Sequence, residues 1–196
     1  MPANISIMMA KKTSFTSLII YISLAVTIIL LVYYFPNYYF LESAIASHSS
    51  MILSSLGFQA PARFVDGLAF VGNYSVVRDC TGIQVMAVFL GLILPLPKVG
   101  WAKKVLALSL LAGMLYGANL FRVVLEYYLV DAKILPWSLA HYPLSLVLGI
   151  IGVFLLVMVN NKIIPEFGEY VFSLAKYFED LTKRRQLNLW PLFSRV

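Results

Sequence analysis

Four long apolar stretches run through the chain, separated by segments in which polar and charged positions return. The first, residues 14–35, carries no charge. The second, residues 80–96, is short enough that a helix there must run close to the membrane normal or begin just inside the interface. The third, residues 103–130, holds Arg122 and Glu126 in its second half, and the fourth, residues 137–159, opens with His141. A helix of roughly 20 mainly apolar residues crosses about 30 Å of hydrocarbon while satisfying its own backbone polar groups. The pattern therefore predicts an all-α integral membrane protein, a single membrane domain over residues 1–196 with about four transmembrane helices.

The connecting segments have patterns of their own. Within residues 36–79, Leu41, Ala44, Ile45, His48, Ile52 and Leu56 recur at helical spacing, which predicts an interfacial helix. Further on, Asp66-Gly67 lies between two short apolar runs, a hairpin signal. Residues 36–79 are thus expected to form a small cap leading into Cys80. In residues 160–196, Phe167, Val171, Leu174, Phe178 and Leu181 share one face behind Pro165, which suits a first helical turn, so the tail is expected to be an amphipathic helix.

Composition agrees with a membrane solvent, because 61% hydrophobic and 12% charged residues would not suit a soluble domain. The net charge of +6 matters through its placement. Lys11, Lys12, Lys98, Lys103, Lys104, Lys162, Lys176, Lys183, Arg184, Arg185 and Arg195 fall on one side of the expected spans, and Arg63, Arg78 and Lys133 on the other. Eleven against three puts both termini in the cytoplasm and the cap outside a plasma membrane. The cluster Lys183-Arg184-Arg185 fits anionic headgroups better than nucleic acid. The first span is expected to be retained, since Tyr33, Tyr34, Phe35 and Pro36 follow it instead of a small-x-small cleavage site.

Cys80 is the only cysteine, which excludes an internal disulfide and the dithiol of a redox relay. The chain has no Gly-x-Ser-x-Gly and no His-Glu-x-x-His, and no metal or other cofactor is expected. With the orientation above, Cys80, Arg122 and His141 fall in one leaflet. A thiol reacts as its thiolate, so it needs a base and a nearby cation. Arg122 is suited to hold the thiolate or the oxyanion it creates, and His141 to move the proton. Asn119, one turn before Arg122, is placed to bind substrate or orient the arginine, and Thr81 and Gly82 to let a substrate backbone approach the helix start.

Plainer readings stand beside these. Cys80 fits a small buried side chain, Arg122 a pair with Glu126 four residues on, and His141 a helix start before Tyr142-Pro143. His48 is a competing base, and Asn119 and Gly82 also suit helix packing. Against a structural Arg122 stands the cost of a charged residue within a span, at least ~2.5 kcal/mol on the insertion scale.

Asp79-Cys80-Thr81-Gly82-Ile83-Gln84, Asn119-Leu120-Phe121-Arg122-Val123 and His141 resemble, in order, spacing and membrane setting, the three motif blocks of exosortases and archaeosortases. The similarity covers about residues 74–156. It implies a cysteine transpeptidase acting on exported proteins that carry a carboxy-terminal sorting signal: a short motif, a hydrophobic helix and a basic cluster. By the resemblance, Cys80 forms a thioester and the new carboxyl end passes to an acceptor, expected to be a membrane lipid. Arg122 and His141 assist. Some archaeal members carry a second arginine where His141 stands, so the identity of the base stays open at this point. The alternative is a non-catalytic membrane subunit or a small transporter using Arg122 and Glu126, in which Cys80 would tolerate serine.

Overall fold

A computed structural model describes residues 15–35, 37–170, 172 and 179. Helix α1 (Phe15–Tyr33) comes from the charge-free run, and α2 (Tyr39–Ser55) follows after a short break. Strands β1 (Ala62–Val65), β2 (Leu68–Val71) and β3 (Tyr74–Val76) form an antiparallel meander in the order β1-β2-β3. Then come α3 (Ile83–Ile93), α4 (Trp101–Asp131) and α5 (Trp137–Ile163), the last interrupted by a π-helical turn at Ala140–Leu144.

Three of these helices, α1, α4 and α5, are long and apolar enough to cross a membrane. Helix α3 is not. Its 11 residues extend about 16 Å at 1.5 Å per residue, half the hydrocarbon thickness. The apolar run 80–96 is divided because its start is bent and its end is blocked. Arg78–Thr81 form a 3-10 turn, Gly82 takes a left-handed conformation (φ 72°), and Pro95, lacking an N–H, follows the last turn. Cys80 accordingly sits in the 3-10 turn and not in the first turn of a spanning helix. Helix α4 exceeds the expected 103–130: its 31 residues reach about 46 Å, so it tilts or projects beyond the hydrocarbon.

Helices α1 and α3 pack at close range. Tyr21 donates its hydroxyl proton to the Leu92 carbonyl at 2.7 Å, and a methyl group on Gly91 would stand 2.7 Å from the Ala25 carbonyl oxygen. Small residues at such crossings let backbones approach, which is how helices associate in lipid. Phe89, Ile93, Leu111 and Leu156 fill the core between the helices, with Ile164 and Phe167 completing it. Residues 165–170 are helical, and Glu166 pairs with Lys103 at 3.3 Å. The start of the tail is therefore docked on the helices. Val171, Leu174, Phe178, Leu181 and Lys183-Arg184-Arg185 lie outside the described residues.

A second core lies between α2, the sheet and α4. Ile45, Leu53, Ala69, Val71, Val76 and Tyr127 pack there with Cys80. The buried line on α2 is Ile45, Ser49 and Leu53, whereas His48 and Leu56 are exposed. The face is rotated from the expected stripe because the sheet and α4, not a membrane surface alone, cover this helix. The hairpin at Asp66-Gly67 is a two-residue turn with positive φ at both positions (50° and 74°), the backbone that suits right-twisted strands. Gly72-Asn73 closes the second hairpin, adding a strand beyond the expected pair.

Candidate active site

Cys80 is fixed by the tight turn that holds it. Its N–H donates to the Val77 carbonyl at 2.7 Å. Thr81 donates its hydroxyl to the Arg78 carbonyl at 2.7 Å and accepts the Ile83 N–H at 3.3 Å, so it closes the turn and opens α3. Arg78 lies over the Tyr33 ring at 4.3 Å and faces Tyr38 at 5.9 Å, which ties the turn to the end of α1. Nearby, burial pushes the Glu42 carboxyl above its usual range, with the Arg78 charge acting in the opposite sense.

The α4 side of the turn is equally close. A Cβ on Gly82 would collide with Asn119 Nδ2 and stand 3.0 Å from Leu115 Cγ. Asn119 donates its amide to the Leu115 carbonyl of its own helix at 2.9 Å. Thr81, Gly82 and Asn119 are thus engaged in capping and packing that set the position of Cys80 against α4.

Cys80 and His141 line one cavity of about 20 Å³, with Tyr74, Val76, Glu126 and Trp137 among its other walls. That is room for about one water molecule. Cys80 is 6% exposed. The His141 ring stacks on Trp137 (4.7 Å between centroids, 10° between planes), and Trp137 stacks on Tyr74 of β3 (4.3 Å, 8°). The π-helical turn contains Pro143, whose missing N–H and ring do not fit a regular helix, and such turns often accompany functional sites.

Arg122 does not line the cavity. It reaches the site through Glu126, 4% exposed, whose Oε1 is 3.4 Å from Arg122 Nη1. Arg122 Nη1 also donates to Ser145 Oγ at 3.2 Å, and Ser145 in turn donates to Glu126 Oε1. The other carboxylate oxygen, Oε2, is 3.1 Å from His141 Nδ1. Two residues four apart on α4, Arg122 and Glu126, therefore meet two residues four apart on α5, His141 and Ser145. Among the described residues, Arg122 Nε and Nη2 are buried without a hydrogen-bond partner. His48, the competing base, is held 2.6 Å from the Tyr116 hydroxyl and is absent from the cavity lining. Among the described residues no cluster of His, Cys, Asp or Glu is arranged to hold a metal ion.

In the sequence Glu126 figures as the partner of Arg122, in a pair or in the polar path of the alternative, while Ser145, Trp137 and Tyr74 carry no assignment. Ser145 had a signal, since it lies four residues after His141 on the same helical face; the aromatic stack had none, because it joins β3 to α5 across a fold the sequence does not reveal.

The family described as transmembrane exosortase matches residues 5–159 of the chain. The chain belongs to the transmembrane exosortase family. At the level of the family, this exosortase is a membrane-embedded, sorting-related transpeptidase acting on exported proteins. No curated protein and no solved structure matches it.

Proposed function

We propose that this exosortase cleaves carboxy-terminal sorting signals of exported proteins through a thioester on Cys80. The observation that carries the reading is the common cavity of Cys80 and His141, residues far apart in sequence and brought together by the 3-10 turn and the π-helical turn. His141 takes the Sγ proton, and the thiolate attacks the scissile carbonyl carbon. The carbonyl oxygen becomes an oxyanion, and Arg122, whose Nε and Nη2 have no hydrogen-bond partner among the described residues, supplies the compensating charge from behind Glu126 and becomes a direct donor only when the cavity opens to substrate. Collapse breaks the C–N bond, His141 returns the proton to the leaving amine, and the acyl group stays on Cys80.

An acceptor nucleophile, a lipid group or water, then attacks the thioester, gives its proton to His141 and releases Cys80. Thr81, Gly82 and Asn119 act as positioning groups for the nucleophile. The cap supplies the β3 wall of the cavity, and a cavity of about 20 Å³ admits no peptide until that wall moves. The lysine and arginine bias supports an extracytoplasmic site with both termini in the cytoplasm, a topology that needs the 3-10 turn, α3 and residues 94–99 together to carry the chain across, since α3 alone covers half the hydrocarbon.

The buried Arg122–Glu126 pair favours a second reading, a non-catalytic subunit or transporter with a polar path. Release of a tagged sorting-signal substrate in native membranes separates the two. Cys80→Ala, Cys80→Ser, Arg122→Lys and His141→Ala at normal protein levels should each impair release under the transpeptidase reading. Normal release by Cys80→Ser rejects it.

A further inference from the structure

We infer that Glu126 is the positioning residue of His141, holding the imidazole in the tautomer that leaves Nε2 free to take the Cys80 proton. The inference rests on the proposed roles of Cys80 and His141 and adds to them a residue that those roles do not require. Its basis is the division between the two carboxylate oxygens. Oε1 meets Arg122 and Ser145, so the counterion role is complete with that oxygen alone. Oε2 faces His141 Nδ1 at 3.1 Å.

A carboxylate accepts hydrogen bonds and cannot donate them, so the proton between these atoms belongs to Nδ1. The lone pair then lies on Nε2. Trp137 fixes the ring plane by stacking, with Tyr142 at its edge (5.1 Å), so both rotation and tautomer are held. In the acylation step the Sγ proton moves to Nε2, the Nδ1 proton stays with His141, and Glu126 remains ionised as the charge partner of the imidazolium. No proton reaches Glu126, and the imidazolium proton leaves with the amine. The other titratable groups around the ring are the Cys80 thiol, the Tyr74, Tyr127 and Tyr142 phenols, and Arg122 behind Glu126.

Because Cys80 is the only cysteine, iodoacetamide alkylation of the purified full-length protein in detergent micelles reads one thiol. Its rate is to be followed against pH for the wild type, Glu126→Gln, Glu126→Asp, His141→Ala and the Glu126→Gln/His141→Ala double variant. Loss of a general base costs on the order of 10²- to 10⁴-fold, so mispositioning it by Glu126→Gln should slow alkylation at neutral pH at least about tenfold. The rise of the profile should move toward higher pH, and Glu126→Asp should recover part of the loss. On the His141→Ala background, Glu126→Gln should change the rate by no more than about twofold.

An equal effect of Glu126→Gln with and without His141 overturns the inference, since the residue would then act through Arg122 or the fold. If His141→Ala shifts the profile and Glu126→Gln does not, the inference fails and the His141 assignment survives. If His141→Ala leaves the profile unchanged, both fail. Should Glu126→Gln not fold, or should the closed cavity keep iodoacetamide from Cys80 in the wild type, nitrogen chemical shifts of labelled histidine in the wild type decide. The chain has two histidines, and His48→Gln assigns them. A protonated Nδ1 on neutral His141 is expected; a protonated Nε2 overturns the inference.

Discussion

Replacing Gly82 with alanine should displace Cys80 from α4 by two separate mechanisms. The left-handed backbone at Gly82 (φ 72°) costs an L-residue roughly 1–2 kcal/mol. The added methyl would also collide with Asn119 Nδ2 and stand 3.0 Å from Leu115 Cγ, and overpacking of this kind costs typically about 1–3 kcal/mol. Together the loss should be about 2–5 kcal/mol, measured by unfolding the purified protein in mixed micelles. The companion substitution Asn119→Ala separates the terms. It removes the nearest obstacle, so the cost of Gly82→Ala in the Asn119→Ala background should fall toward the roughly 1–2 kcal/mol of the backbone part, with only the Leu115 contact left to relax. Activity of Gly82→Ala should fall with stability, since the glycine immediately follows the turn that carries the nucleophile. A Gly82→Ala protein as stable as the wild type would refute both the left-handed backbone and the close approach of α4.

Further substitutions test other joints of the fold. Lys104→Met removes the ammonium that donates to the Leu94 carbonyl at 2.6 Å, leaving the end of α3 unsatisfied; unfolding in micelles should show a loss of about 1–3 kcal/mol. Phe167→Ala should destabilise by about 3–5 kcal/mol, because Phe167 is 5% exposed within the helix core; an unchanged unfolding midpoint would mean that the tail does not dock. The Glu166 carboxyl is held below its ordinary range first by its own backbone N–H and then by Lys103, with burial opposing. Its contribution should be present above the ordinary carboxylate range and disappear as pH falls through the lowered folded value, so the stability difference between wild type and Glu166→Gln should shrink on acidification. With 42% of that side chain exposed, the effect should be small and should weaken with salt.

The spanning helices were legible wherever apolar residues alone decide the outcome. Helix α1 follows from a charge-free run, and α5 from the apolar run 137–159, past which the helix continues to Ile163. The length of α3 was not legible in that way, because hydropathy does not register the left-handed Gly82 that detaches Cys80 from the helix. On α2, two coverings compete: His48 and Leu56 continue the apolar periodicity, but the sheet and α4 cover Ile45, Ser49 and Leu53 instead. In the candidate site, Cys80, Arg122 and His141 stood out as unusual residues at a common depth. Glu126 stood out less, since its nearest sequence partner, Arg122, explains its charge. Its contact with His141 depends on how α4 packs against α5, which no spacing within either helix specifies.

The most direct test of the central claim is capture of a sorting-signal substrate by the enzyme itself. Tagged substrate is to be incubated with wild-type and Cys80→Ala protein in membranes, the reaction quenched in acid, and the Cys80 peptide examined by mass spectrometry before and after hydroxylamine. The account predicts an acyl adduct on Cys80 that hydroxylamine releases, carried by the wild type and missing from Cys80→Ala, which should also leave the substrate uncleaved. Cleavage by Cys80→Ala at the wild-type rate would contradict it.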